Sequence, residues 1–380
     1  MNVKESVIDR YTQGAQEVQG SLCCPVDYDA GLLKILPEEI IEKDYGCGDP
    51  SRYVRESDVV LDLGSGGGKI CYMAAQVVGN TGRVIGIDMN DDMLSLAKKY
   101  QNEMSEKLGG DRVKFYKGYI QDLALDLKKL ENYLSENPVL NIESMDLLEA
   151  WKQKQIKTEP MITDNSVDVV VSNCVLNLVQ ESEREKMISE IYRVLKPGGR
   201  VAISDIVADE IVDEEMKNDP ELWSGCISGA FHEKAFLDSF EEKGFVGVAY
   251  DKWSEEPWQT VEDVEFRSVT IVAHKPPAID KKDVGQAAIY KGPFQSVAIT
   301  NGNMTLNFPR GERMIVDECT AQMITKGFFG LDFVVANPVD KKPASSMCCK
   351  IDKVRPTLET KGGLQIGAEG STADSSGSCC

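Results

Sequence analysis

The chain has 380 residues, 42% hydrophobic and 27% charged, which suits a globular protein with one large core and room for a smaller second one. Lys plus Arg number 42 against 62 Asp plus Glu, and a formal net charge of −20 repels phosphate backbones and anionic lipid surfaces. There is no run of about 18 apolar residues, and the opening MNVKESVIDRYTQGAQ lacks a signal-peptide core. Neither nucleic acid nor membrane is therefore expected as a partner, and the chain reads as cytoplasmic. In that compartment its eleven cysteines are expected to be thiols rather than structural disulfides.

Residues 1–50 read as an N-terminal segment able to fold over a site as a lid. YTQGAQ is a short helix, SLCCPVDYD a turn-rich loop, and ILPEEIIEKDYGCGDP a helix running into a Gly-Cys-Gly loop. From 51 to 275 strands and helices alternate. Strands are expected at 58–64, 83–89, 112–118, 166–174 and 200–206. The helices KICYMAAQVVG, DDMLSLAKKYQNEM and EREKMISEIYRVLKPGG lie between them, the last stopped by Pro197-Gly198-Gly199. A further helix, EKAFLDSFEEKGF, precedes two more strands at 245–251 and 266–274. This order predicts an α/β fold, a doubly wound and mostly parallel sheet covered on both faces. An insertion at 123–162 has helical periodicity and reads as a lid or packing element. After a linker at 275–283, residues 284–342 suggest short strands with Gly/Pro turns, a small β-rich domain. Residues 343–380 are poor in apolar residues and are expected to be a disordered tail carrying Cys348, Cys349, Cys379 and Cys380.

The loop Asp62-Leu63-Gly64-Ser65-Gly66-Gly67-Gly68 follows a buried strand and opens a helix, so its backbone can turn sharply and approach a ligand. Asp88 ends the next strand, where a carboxylate can accept from both hydroxyls of a ribose. Ile120 and Asp122 follow the third strand, placed to pack on an adenine and to accept from its amino group. Dinucleotide enzymes share the first two features, but with G-x-G-x-x-G spacing. Here the spacing is G-x-G-x-G, and VLKPGGR resembles the segment after the catalytic strand of class I methyltransferases. That resemblance implies S-adenosylmethionine (SAM) as cofactor. Gly64, Ser65, Gly66, Met89 and Asn173 complete the expected cofactor set with Asp62, Asp88, Ile120 and Asp122.

Topology makes the cysteines informative. Cys71 lies in the first turns of the helix after strand one, Cys174 at the carboxyl end of strand four and Cys226 in the connection after strand five. Ligands of doubly wound sheets bind outside the carboxyl strand ends, so all three thiols are expected on the cofactor face. Cys47, between two glycines, is uncrowded and on a loop free to move. A single buried cysteine is more often a small hydrophobe than a ligand, but convergence of several favours a site. Zinc is disfavoured, because C-x₂₋₄-C pairing is missing among these four and the histidines are only His232 and His274. A soft trigonal centre such as As(III) fits three sulfurs better.

DYGCGDPSRYV, DLGSGGGKICY, SNCVLNLV and LWSGCISGAF, in that order within 20–275, resemble the four cysteine motifs of arsenite SAM methyltransferases, and RGERM is similar too. The resemblance implies that Cys174 and Cys226 hold As(III), with Cys71 as third thiol at one stage and a disulfide partner, for example of Cys174, at another. Cys47 would assist early binding or the redox step. It also implies a substrate of arsenite or its thiol conjugates, and an external thiol reductant of glutathione or thioredoxin type. The tail cysteine pairs would capture arsenite or shuttle electrons, or be dispensable. Lys69-Ile70 stands where the family often has Arg-Asp before the helix cysteine, which puts a polar contact to the cofactor from that position in question. Two rival readings remain: a SAM-dependent C- or O-methyltransferase of a small metabolite, and a thiol-rich metalloid-binding protein without catalysis. Detoxification and organoarsenical biosynthesis are equally compatible with the sequence.

Overall fold

The computed structural model describes residues 3–19, 26–279, 281–301, 304–325, 332–340, 343–347, 350 and 352–361. The chain divides into two compact units, Met1–Ala278 and Ile279–Cys380.

The strands of the first unit are β1 (Val59–Leu63), β2 (Arg83–Asp88), β3 (Val113–Lys117), β4 (Val167–Asn173), β5 (Leu195–Ala208), β6 (Phe231–His232), β7 (Val246–Trp253), β8 (Gln259–Val261) and β9 (Val264–His274). Its principal helices are α1 (Val3–Gln16), α2 (Lys69–Val77), α3 (Asp91–Lys99), α4 (Leu127–Glu136), α5 (Ile142–Thr158), α6 (Glu181–Val194), α7 (Pro220–Ser224) and α8 (Glu233–Glu242). The strand order is β3-β2-β1-β4-β5-β9-β7. Strands β1 to β5 pair in parallel, while β9 runs antiparallel to β5 and β7 antiparallel to β9. The β-branched runs VVLDL and VDVVVSN suit strands buried on both faces. Leu61, Leu63 and Val170 pack into the core of one face, with Val60, Val169 and Val171 in that of the other. Winding reverses between β1 and β4, so the crevice for a ligand opens at Gly64 and Cys174.

Several elements differ from the sequence reading. α1 starts at Val3, eight residues before the expected short helix YTQGAQ. β5 begins at Leu195, because Pro197-Gly198-Gly199 continues the strand instead of merely ending α6; Leu195 pairs with Val167. The insertion is helical, but Leu123 and Leu125 belong to the core, so the excursion proper starts later. Its two helices meet through stacking of Tyr133 on Trp151 at 4.4 Å between ring centroids, and α5 has no buried residue.

In the second unit, β10 (Lys282–Asp283), β11 (Ala287–Tyr290), β12 (Ser296–Asn301), β13 (Met304–Pro309), β14 (Met314–Ile315), β15 (Phe333–Ala336) and β16 (Ser345–Ser346) form small sheets. ECTAQMIT is not a strand but a helix, α9 (Glu318–Thr325), which Asp317 caps by accepting from the Thr320 amide at 2.8 Å. The described chain also does not become a tail at 343. β16 pairs with β10, Met347 is buried, and Arg355 forms an ion pair with the buried Asp283, which also accepts from Lys350. A buried carboxylate with two cationic partners explains why a segment poor in apolar residues is retained. Asp283, expected in a linker, is thus a centre of this unit. Cys348, Cys349, Cys379 and Cys380 lie outside the described residues. Among the described residues no helix is long and apolar enough to cross a membrane.

Candidate active site

The turn after β1 is built for close approach. Gly64 has φ +69°, and a Cβ there would lie 2.4 Å from a Val175 methyl, so this turn presses directly on the loop after β4. The amides of Gly64 and Ser65 donate to the Ile87 carbonyl. Asp88 accepts from Gly66 N and from Asn90 N, each at 2.8 Å, and burial pushes its carboxyl above the usual range. Asp62 is buried, and burial pushes it up to about 7. A cavity of about 280 Å³ opens above this turn. Asp62, Gly64, Ser65, Gly66, Asp88, Met89, Ile120 and Asn173 all line it. Asp122 does not: it pairs with Lys186 at 2.8 Å and accepts from Leu125 N, while its neighbour Gln121 faces the cavity with Glu183.

The lining fits a cationic nucleoside. Asp44, Asp62, Asp88 and Glu183 outnumber Lys4 and Lys43, which suits a sulfonium and an ammonium and opposes a pyrophosphate. A Cβ at Gly66 would meet nothing within 4 Å, leaving backbone open to a ligand. Ser65 Oγ is buried without a hydrogen-bond partner among the described residues.

The cysteines converge beside this cavity, though not as the set expected. Cys47 and Cys174 are joined by a disulfide. Cys226 Sγ donates to the Cys174 carbonyl at 3.3 Å. The three share one buried cluster, and Cys174 also lines the cavity. Cys71 stands apart. It is buried on α2 with its thiol donating to Asp62 at 3.1 Å, and burial beside that carboxylate pushes its pKa well up. The expected Cys71–Cys174 pairing is therefore replaced by Cys47–Cys174, and the thiol joining Cys174 and Cys226 is Cys47. Cys71 faces Asp62 and the sheet rather than the crevice, which is where the early turns of a helix packed on a sheet direct half of their side chains.

Cys174 and Cys226 have φ of +58° and +63°. Each costs roughly 1–2 kcal/mol relative to a right-handed backbone, and such strain concentrates at functional sites. The glycines around Cys47 serve close contact rather than mobility. A Cβ at Gly46 would fall 2.0 Å from Asn173 Nδ2, and one at Gly48 would fall 2.3 Å from Ser204 Oγ. Asn173 Oδ1 accepts from the amides of Cys47 and Gly48, so its side chain clamps the Cys47 loop even as the residue borders the cavity.

The sequence reading missed two supporting residues. Asp205 is fully buried in β5 and accepts from Leu176 N, Asn177 Nδ2 and Ile206 N. Burial raises it to about 6, and a carboxylate oxygen lies within 4.8 Å of both disulfide sulfurs. Its signal was available as a lone carboxylate in the apolar run VAISDIVA. Arg184 is buried, pulled down to about 10 by burial, and donates to the carbonyls of Val179 and Gly229 while its guanidinium lies 4.2 Å from the Phe231 ring. It ties the loop after Cys174 to the loop after Cys226. Arg184→Met leaves those carbonyls unpaired and is expected to cost about 2 kcal/mol, read as a fall in Tm of roughly 5 °C together with weakened metalloid binding.

The N-terminal segment covers the crevice. Lys4, Val7, Ile8 and Tyr11 of α1 line the cavity. Lys69, at the position where a cofactor contact was in question, instead pairs with Asp44 and sits 3.5 Å over the Tyr28 ring, pinning this segment to α2.

Residues 55–141 and 148–244 match a family described as a methyltransferase domain, and 278–365 match a domain of unknown function. The chain is 30% identical over 311 residues to the arsenite methyltransferase of Aquipseudomonas alcaligenes, covering 77% of this chain and 79% of that protein. The chain belongs to the arsenite methyltransferase family. The rat member, from Rattus norvegicus, is 31% identical over 319 residues, covering 81% of this chain and 76% of the relative. A solved member, an arsenic (III) S-adenosylmethionine methyltransferase from Chlamydomonas reinhardtii, superposes with a TM-score of 0.56 at 27% identity over 85% of this chain and 99% of that one. The break in the methyltransferase-domain match, residues 142–147, falls at the start of α5.

Proposed function

We propose that this methyltransferase transfers methyl groups from SAM to As(III) held by Cys174 and Cys226, with Cys47 as third thiol once its disulfide to Cys174 is reduced. The observation that carries this reading is the meeting of Cys47, Cys174 and Cys226 in one buried cluster on the wall of a cavity whose lining suits a cationic nucleoside. When bound, SAM supplies an electrophilic methyl carbon, for which the lone pair of As(III) is the nucleophile. Asp62, Asp88, the open backbone at Gly66 and Gln121 would hold it.

The residues of this chain do the remaining work. Opening the Cys47–Cys174 disulfide takes two electrons and two protons, supplied by two glutathione-type thiols or one thioredoxin-type dithiol, which leave as a disulfide. Each cysteine sulfur then forms a bond to arsenic as a bond from arsenic to hydroxide or to a small thiolate breaks, and the cysteine proton departs with that leaving group. The cage fixes the metalloid against the cofactor wall, and orientation of this kind is worth roughly 7–11 kcal/mol of a barrier. Arsenic loses no proton in accepting a methyl group, so no histidine base is required; it rises formally from As(III) to As(V), and Cys47 and Cys174 return two electrons by leaving arsenic as their disulfide while a small thiolate takes their place, the external thiol then reopening that disulfide. Asp205 adds negative charge where arsenic becomes more positive on using its lone pair. Cys71 takes no part in the cage. A reducing, cytoplasmic setting supports these thiols.

The test is turnover. Reduced protein, arsenite, glutathione and SAM should give methylarsenicals. Tight arsenite binding with no methylated product would instead support a metalloid-binding protein.

Asp62 makes cofactor affinity pH-dependent. Its folded pKa of about 7 lies above the ordinary 3.8, so the empty fold keeps a proton that the unfolded chain has lost. That contribution to stability is full below about pH 4 and is lost as pH rises through about 7. A cation bound beside Asp62 releases the proton. SAM is therefore expected to bind about tenfold more weakly at pH 6 than at pH 8. Calorimetric titration checks this, with Asp62→Asn giving a flat profile.

A further inference from the structure

Helix α1 touches both halves of the site. At the cofactor end, Asn90, two residues after Asp88, donates from Nδ2 to the Ile8 carbonyl at 3.2 Å and to Thr12 Oγ1 at 3.0 Å. Asn90 also caps α3. At the cysteine end, Arg10 donates to the Glu221 carbonyl at 2.9 Å and to Ser224 Oγ at 3.1 Å, gripping α7 just before Cys226. Tyr11 Oη lies 3.9 Å from Cys226 Sγ. Val7 packs against Trp223 of α7, in a cluster that Tyr11 and Met89 complete. Val7, Ile8 and Tyr11 at the same time form part of the cavity wall.

We propose that α1 is a strap coupling cofactor occupancy to arsenic capture, with Arg10 and Tyr11 as the residues that position Cys226. The physical chain has three links. A ligand filling the cavity adds apolar contact with Val7 and Ile8 and favours the docked helix. Docking is registered at Asn90, beside the carboxylate expected to hold the ribose. The docked helix then holds α7 through Arg10 and sets the Cys226 sulfur against Tyr11, in a backbone conformation that a cysteine does not favour by itself. A cofactor that binds the docked form better than the undocked one must tighten metalloid binding, and by reciprocity the metalloid must tighten cofactor binding by the same factor. Arg10 touches no reacting atom and acts through α7 and Cys226, whereas Tyr11 meets the Cys226 sulfur itself and Val7 and Ile8 meet the ligand in the cavity.

This inference rests on the proposed methyl-transfer site but is tested separately from it. The reduced full-length protein is titrated with arsenite, with and without saturating S-adenosylhomocysteine, which fills the cavity without donating a methyl. Affinity for arsenite is expected to rise about tenfold with the nucleoside present, within the usual range of coupling between sites. In the Arg10→Ala variant, whose side chain grips α7 and forms no part of the cavity wall, the factor should fall below about twofold, while each ligand alone binds within about threefold of the parent. Alkylation of Cys226, followed by mass spectrometry, supplies the second readout: S-adenosylhomocysteine should slow it in the parent and not in Arg10→Ala. A merely structural role for α1 would lower both single-ligand affinities together and leave the coupling factor intact, and that result overturns the strap. So does a parent coupling factor of one in a protein that produces methylarsenicals. Failure of the methyl-transfer reading looks different, as coupled binding of both ligands without methylated product.

Discussion

Cys174→Ser and Cys226→Ser are each expected to lower methyl transfer to arsenic by at least about 10³-fold, equivalent to roughly 4 kcal/mol of barrier, while SAM affinity stays within about threefold. Serine has nearly the shape of cysteine but offers a hard oxygen in place of a soft thiolate, and trivalent arsenic is retained by sulfur. Loss of one sulfur leaves arsenic bound through fewer bonds and free to rotate away from the cofactor wall, so the orientation advantage goes with it. The fold should tolerate both changes. Cys174 and Cys226 sit in left-handed conformations that serine adopts at similar cost, and the Cys226 bond to the Cys174 carbonyl can be made by a hydroxyl. Single-turnover assays with methyl-labelled SAM, set beside a direct SAM titration, separate the two effects.

The second large effect lies in the cofactor loop. Asp88→Ala should weaken SAM binding by about 100-fold, close to 2.7 kcal/mol. The carboxylate has two roles that the substitution removes together. It accepts from Gly66 N and Asn90 N, which holds the glycine turn in shape, and it is the acceptor placed for the ribose hydroxyls. Asp88→Asn is expected to lie between the two. It keeps the shape, yet one of its two polar atoms becomes a donor and faces the amide of either Gly66 or Asn90, while the other still accepts.

Much of this site was legible in the chain because its logic is topological. Asp62, the glycines and Asp88 are placed by strand ends, and a short continuous apolar run closed by a carboxylate or a glycine turn marks such an end well. Cys174 and Cys226 follow from the same rule, since the carboxyl ends of β4 and β5 lead to the crevice. The failures are of another kind. Cys71 is on the right helix but faces the sheet, and helical direction is not fixed by knowing that a helix starts. Cys47 joins the cluster because Asn173, 126 residues away, clamps its loop, a long-range hydrogen bond with no local signature. Asp122 looked suited to an adenine and is instead taken up by Lys186 on α6. In the second unit, ECTAQMIT follows several strands and was grouped with them, although Asp317 three residues before Thr320 is a helix start. The segment after 343 lacks apolar residues but is retained by charge pairing at Asp283, which composition does not reveal.

Arsenic K-edge X-ray absorption on the reduced protein loaded with arsenite tests the central claim most directly, because it counts the sulfurs around the metalloid. Three sulfurs and no oxygen are predicted for the parent, falling to two in Cys47→Ser, Cys174→Ser and Cys226→Ser and remaining three in Cys71→Ala. A three-sulfur shell that survives Cys174→Ser or Cys226→Ser, or that loses a sulfur in Cys71→Ala but not in Cys47→Ser, would contradict the cage described here.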